Sequence, residues 1–113
     1  MHVYTGKLNW YNYAVDEIFT IVVPNVFNYG EPILAYWQWT QDDSGTKKKN
    51  VSVVGKIDSI IHTASEQKIG FFYDQYYKFD AVVGSDDKSL VVTMRNPKGD
   101  KSGPINLQLS YSK

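Results

Sequence analysis

Apolar and polar residues alternate with a period of two along most of this chain, and no long run carries the three-and-four spacing of an amphipathic helix. Eight segments read as strands: Val3–Trp10, Glu17–Val23, Ile33–Thr40, Val51–Ile61, Lys68–Tyr73, Tyr76–Val83, Ser89–Arg95 and Ile105–Tyr111. The last alternates most cleanly, with Ile105, Leu107, Leu109 and Tyr111 on one face and Asn106, Gln108 and Ser110 on the other. Pro24 stops the second strand and Pro32 precedes the third, as expected of a residue that donates nothing to a sheet ladder.

Turn chemistry fills the gaps. Asn28-Tyr29-Gly30, Asp42-Asp43-Ser44-Gly45, Gly84-Ser85-Asp86-Asp87 and Asn96-Pro97-Lys98-Gly99-Asp100 combine residues that tolerate positive φ or pre-set a turn. Ile60 to Glu66 reads as a hairpin loop. Short strands at this spacing predict an all-β fold: a single antiparallel domain of about eight strands, closed as a barrel or folded as a two-sheet sandwich. Ile18, Val22, Val53, Ile57, Ile69, Phe71, Phe79, Leu90, Val92, Leu107 and Leu109 are the expected core. Gly6-Lys7-Leu8-Asn9 resembles Gly55-Lys56-Ile57-Asp58, a weak internal repeat that would split the chain into halves 3–52 and 53–113.

Composition narrows the function classes. A chain of 113 residues suits one domain, and nine Tyr, five Phe and three Trp exclude a disordered chain. Twelve basic and twelve acidic residues leave no net charge, which argues against a nucleic-acid partner or an anionic membrane surface. Lys47-Lys48-Lys49 reads as a solvated turn. With no Cys, disulfides, thiolate nucleophiles and Cys-bound metals are excluded. No apolar stretch is long enough for a membrane-spanning helix, and the first residues lack the basic start and apolar run of a signal peptide. The expected location is the cytoplasm, or export without a visible signal peptide. Without export, the Asn50-Val51-Ser52 glycosylation pattern would stay unmodified.

Catalytic constellations are poor. His2 and His62 are the only histidines, with no nucleophile–base–orienter set around them. Asp42-Asp43 and Asp86-Asp87 lack the spacing of a calcium loop. Among Asp16, Glu17, Asp58, Asp74 and Asp80, the pair Asp58 and Asp80 stands out, being flanked by apolar residues within strands; the outer, solvated face of the sheet is their ordinary place. No enzyme activity, metal or cofactor is expected.

The aromatic residues are more informative. Trp10, Tyr11 and Tyr13 cluster at the end of strand one, Tyr36, Trp37 and Trp39 lie on strand three, and Tyr73, Tyr76 and Tyr77 flank the connection from strand five to six. Trp37 and Trp39 share one face of their strand; Tyr36 and Gln38 share the other. Core packing is the ordinary use of any one such ring, but the cluster with its polar neighbours has the makeup of a small-ligand site. The leading expectation is a lectin-like carbohydrate-binding module, in which Trp10, Trp37 and Trp39 stack on the glycan, Asn12, Gln38 and Asp74 orient it, and Tyr76 completes the platform. Alternatives are a homo-oligomer or other interaction domain burying the same face, and a barrel holding a small apolar molecule.

Trp10-Tyr11-Asn12 followed by an apolar strand, and Val54-Gly55-Lys56-Ile57-Asp58-Ser59 near mid-chain, resemble the opening and middle strands of avidin-like eight-stranded barrels. The resemblance implies an up-and-down barrel. That family's later, biotin-lining tryptophans have no counterpart here beyond Trp39.

Overall fold

The structure, a computed structural model, describes residues 1–24, 27–41, 49–72 and 77–113. Its strands are β1 (His2–Trp10), β2 (Ala14–Val23), β3 (Pro32–Trp39), β4 (Lys49–His62), β5 (Gln67–Phe72), β6 (Lys78–Val83), β7 (Ser89–Arg95) and β8 (Ile105–Ser112). Each pairs antiparallel with the next, and β8 returns to β1, so the sheet closes as a barrel in simple up-and-down order. Closure leaves no sheet edge unpaired. Among the described residues there is no helix, hence none long and apolar enough to cross a membrane.

An eight-stranded barrel is just wide enough for side chains to fill it. Here Tyr4, Leu8, Phe19, Ile21, Ile33, Trp37, Ile57, Phe71, Phe79, Leu90, Met94 and Ile105 fill it, all fully buried. Most of the expected core lies inside: Val53, Ile57, Ile69, Phe71, Phe79, Leu90, Val92 and Leu107 are buried, and Leu109 packs against them.

Strand β2 corrects the expectation. Ile18 is exposed and Val22 lies outside with it, while Phe19, Ile21 and Val23 point inward. The run E-I-F-T-I-V-V is apolar at both parities, and the inward choice buries three large apolar side chains instead of two. The cost is that Glu17 goes inside as well. A β-bulge sets this phase: Trp10 pairs with Ala14 but Leu8 with Glu17, and Asp16 takes the extra step at φ 52°. A second bulge corrects β8. Its register with β1 shifts between Val3 and Tyr4, so Tyr111 lies opposite outward-facing Val3 and is exposed, unlike Ile105 and Leu107.

The antiparallel order defines two ends. At the lower end, where β1 begins, Phe27 packs on Tyr4 at 6.0 Å and closes the interior. The Gly30 amide donates to the Ile57 carbonyl (2.8 Å) and the Ile57 amide to that of Glu31 (3.0 Å), holding this plug against β4. The Thr63–Glu66 turn is the expected hairpin, closed by the Thr63 amide on the Glu66 carbonyl at 2.8 Å.

The Tyr4 hydroxyl donates to the Asp87 carbonyl at 2.6 Å. Burial, then the carboxylates of Asp87 and Asp86, push this phenol from 10.0 up to about 12. The folded state therefore holds a proton that an unfolded chain releases near pH 10. Its stabilisation is complete below pH 10 and lost as pH rises through 12. Urea denaturation across this range should show the decline, and Tyr4→Phe should flatten it.

Candidate functional site

The upper end gathers the last residues of β1, β3, β5 and β7 with the first of β2, β4, β6 and β8. Trp10 closes β1, Trp39 closes β3 and Tyr77 stands just before β6, so chain direction alone brings these three rings to one opening. Trp39 lies 6.0 Å from Trp10 and 6.1 Å from Tyr77, ring centre to ring centre. Trp39 and Tyr77 remain partly exposed, whereas Trp10 is nearly covered. Beneath them Trp37 meets Trp39 edge-on at 6.0 Å and Tyr77 at 6.3 Å. Trp37 also stacks on Phe19 at 5.5 Å and touches Phe79 at 5.7 Å, and Phe79 stacks on Phe71 at 4.9 Å. The rings form one continuous column from the mouth into the core.

A polar group is built into the same end. Glu17 is 6% exposed and projects inward from β2. A carboxylate in such apolar surroundings requires hydrogen bonds. The Thr40 hydroxyl accepts from the Val15 amide (2.8 Å) and donates its proton to Glu17 Oε1 (3.0 Å). The Thr40 amide in turn donates to the Tyr13 carbonyl at 2.8 Å. Thr40 thus ties the β1–β2 turn to the end of β3 and orients the buried carboxylate. That turn is tight: the Tyr13 amide returns to the Trp10 carbonyl at 3.0 Å, with Tyr11 at φ 49°. Tyr11 and Tyr13 stand out from it, both exposed beside the mouth, with Asn12 between them.

Of the residues expected to form a site, Trp10 and Trp39 converge at the mouth and Asn12 lies in the adjoining turn. Trp37 sits below them with no exposed face, so it is a floor and not a stacking surface. Gln38 is on the outer wall, where its amide donates to Asn50 Oδ1 at 2.8 Å, and it does not join the cluster. Asp74 and Tyr76 lie outside the described residues, as do Tyr73, Asp42-Asp43-Ser44-Gly45 and Lys47-Lys48.

Sequence reasoning placed Tyr77 in the aromatic cluster but passed over Thr40 and ranked Glu17 below Asp58 and Asp80. The signal for Glu17 was its parity, shared with Phe19, Ile21 and Val23. Asp58 and Asp80 do come together, flanking Gly70 on the outer wall: their Oδ1 atoms lie 3.5 and 3.6 Å from where a Gly70 Cβ would stand. They are partly exposed there, and Arg95 Nη2 holds Asp80 at 2.8 Å. His62 is exposed at the end of β4, and His2 Nδ1 is 2.8 Å from Ser112 Oγ. Among the described residues, no three His, Asp or Glu side chains are grouped to hold a metal.

Comparison with protein-family models, curated proteins and solved structures finds no match to this chain. The up-and-down barrel expected from the avidin-like resemblance is present, and the functional reading rests on the geometry of the mouth.

Proposed function

We propose that the protein is a non-enzymatic carbohydrate-binding module that takes a saccharide at the upper mouth of the barrel. The observation that carries this is the convergence of Trp10, Trp39 and Tyr77 on one opening, with Trp39 and Tyr77 left partly exposed above a closed aromatic floor. The filled interior favours a shallow ligand over a deep one. Trp37, Phe19, Phe71 and Phe79 occupy the space that a lipophilic guest inside a barrel would need. A sugar suits a shallow aromatic seat, because its C–H face is apolar and its rim is hydroxyl. Asn12 and Thr40 offer hydrogen-bonding groups beside that seat, with Glu17 buried behind Thr40. A binding role is favoured over hydrolysis at the mouth, which needs two carboxylates facing one ligand there; Asp58 and Asp80 lie together on the outer wall, away from that seat.

The test is tryptophan fluorescence with calorimetry, across a panel of mono- and oligosaccharides. A binding sugar should shift the emission, and Trp39→Ala should weaken it roughly tenfold or more, as expected for an aromatic anchor. Tyr36→Ala, on the outer wall, should leave binding unchanged. Silence across the panel, or equal binding by Trp39→Ala, would remove the reading.

A further inference from the structure

Building on the carbohydrate reading above, we propose that the sugar at the mouth is acidic, with Lys49 holding the carboxylate of the ring that stacks on Trp39. The β3–β4 ladder carries the proposal. It runs without a bulge from Pro32 opposite Lys56 to Trp39 opposite Lys49. Residues directly opposite in an antiparallel ladder share a face of the sheet. Ala35 and Val53 are both buried, and Trp37 and Val51, the next inward pair, both pack into the interior. The inward pair after that, and the last of the ladder, is Trp39 and Lys49. Lys49 therefore stands at the rim beside Trp39, on the face of the sheet that lines the opening.

Lys49, expected in a solvated turn, is instead the first residue of β4. It is exposed, and among the described residues no acceptor holds its ammonium. The cations at the corresponding ends of β6 and β7 are placed differently. Lys78 and Arg95 pair across their ladder and face outward, one step from inward-facing Phe79 and Met94. Arg95 is also engaged by Asp80 at 2.8 Å. Strand order thus delivers Lys49, and neither of these, to the aromatic seat. The seat is polarised across β3: Glu17, buried behind Thr40, belongs to β2 on one side, and Lys49 to β4 on the other. A ligand anion is favoured toward β4 and disfavoured toward β2, which sets how the ring lies on Trp39.

An aromatic face beside a single ammonium matches a hexuronate. The C–H face of the ring lies on the indole, and the carboxylate, equatorial at the ring edge, accepts from the ammonium. Neighbouring strands lie about 4.8 Å apart, so a ring seated on Trp39 holds its edge within reach of the flexible lysine stem on β4. Twelve acidic and twelve basic residues leave the chain without an overall field that gathers polyanions, so an anion has to be held by a local charge. Because Lys49 is exposed, the ion pair should contribute selectivity more than affinity.

Calorimetry of the whole chain with oligosaccharides of glucuronate and galacturonate, each beside its methyl ester, tests this. The ester keeps the ring and its hydroxyls and removes the charge. At low salt the acids should bind about three- to tenfold tighter than the esters, and the preference should fade by about 0.5 M salt. Lys49→Gln should abolish the preference and Lys49→Arg should keep it. Lys98→Gln removes an exposed charge in the β7–β8 connection, at the same end of the barrel, and should leave the preference unchanged. Esters that bind as tightly as the acids, or a preference that survives Lys49→Gln, would overturn the proposal. If circular dichroism shows Lys49→Gln misfolded, the salt dependence of the wild type decides. Neutral sugars in the same panel separate the two readings. If they bind and the acids bind no tighter than their esters, only the acidic assignment falls. If no sugar binds, acidic or neutral, the carbohydrate reading falls with it.

Discussion

Trp37→Ala should lower the stability of the folded barrel by about 3–5 kcal/mol, a large share of the 5–15 kcal/mol typical of a domain. The indole is fully buried. It is enclosed by Phe19 at 5.5 Å, Phe79 at 5.7 Å, Trp39 at 6.0 Å and Tyr77 at 6.3 Å. Phe19 and Phe79 come from β2 and β6, each already paired to its neighbours. The barrel cannot contract around the gap without breaking ladder hydrogen bonds, so relaxation is limited and most of the cavity persists. In thermal unfolding the loss should appear as a fall in midpoint of roughly 15–30 °C. Trp39→Ala removes a ring of the same size from a partly exposed position and should cost clearly less. Urea titrations of the two variants separate a floor from a seat: Trp37→Ala should be the unstable one, and Trp39→Ala the one that fails to bind. A Trp37→Ala midpoint within about 1 kcal/mol of wild type would mean that the indole does not fill the barrel.

These roles show how far the alternation pattern reaches. It located every strand to within a few residues, because period-two runs are punctuated by Pro, Gly or an Asn/Asp turn at most boundaries, the Thr63–Glu66 turn being the exception. It also put Trp37 and Trp39 on one face. Which face is interior is a tertiary fact, decided by what the opposite strands bring. In β2 the pattern failed for an identifiable reason: Ile18 and Val22 compete with Phe19, Ile21 and Val23, and the second set also carries Glu17. The fold accepted the buried carboxylate, supported by Thr40 from β3, to bury the larger side chains. Local periodicity cannot show that trade, since the compensating hydroxyl lies 23 positions away.

The mouth was legible only in part. Aromatic density at the ends of strands one and three was plain, but their meeting depends on antiparallel order around a closed ring. Barrel and sandwich differ in whether β1 pairs with β8, a contact between the two ends of the chain that no local signal reports. Tyr111 was misassigned for a related reason, since the bulge beside it exists only in the β1–β8 ladder.

That ladder makes Gly6→Ala the second large prediction. Gly6 pairs with Leu107 across the closing seam. A Cβ at this position would lie well inside 3.0 Å of the Asn106 carbonyl oxygen and 2.7 Å from Leu107 Cδ2. The leucine tip can rotate, but the carbonyl belongs to the strand itself, so relief requires β1 and β8 to separate. Gly70 is the internal control. A Cβ there meets chiefly the Ser59 hydroxyl, a side chain free to turn away. Overpacking costs about 1–3 kcal/mol and occasionally more; Gly6→Ala belongs at or above the top of that range and Gly70→Ala near its foot. Hydrogen exchange should locate the damage: amides of Val3 to Gly6 and Leu107 to Tyr111 should lose protection before those of β3–β6, as the seam opens ahead of the rest. An opened seam also exposes two strand edges, so Gly6→Ala should aggregate on warming where Gly70→Ala does not. If the two variants melt together and exchange alike, the seam is looser than the close approach of Gly6 to Asn106 implies, and closure of the barrel must depend on other contacts.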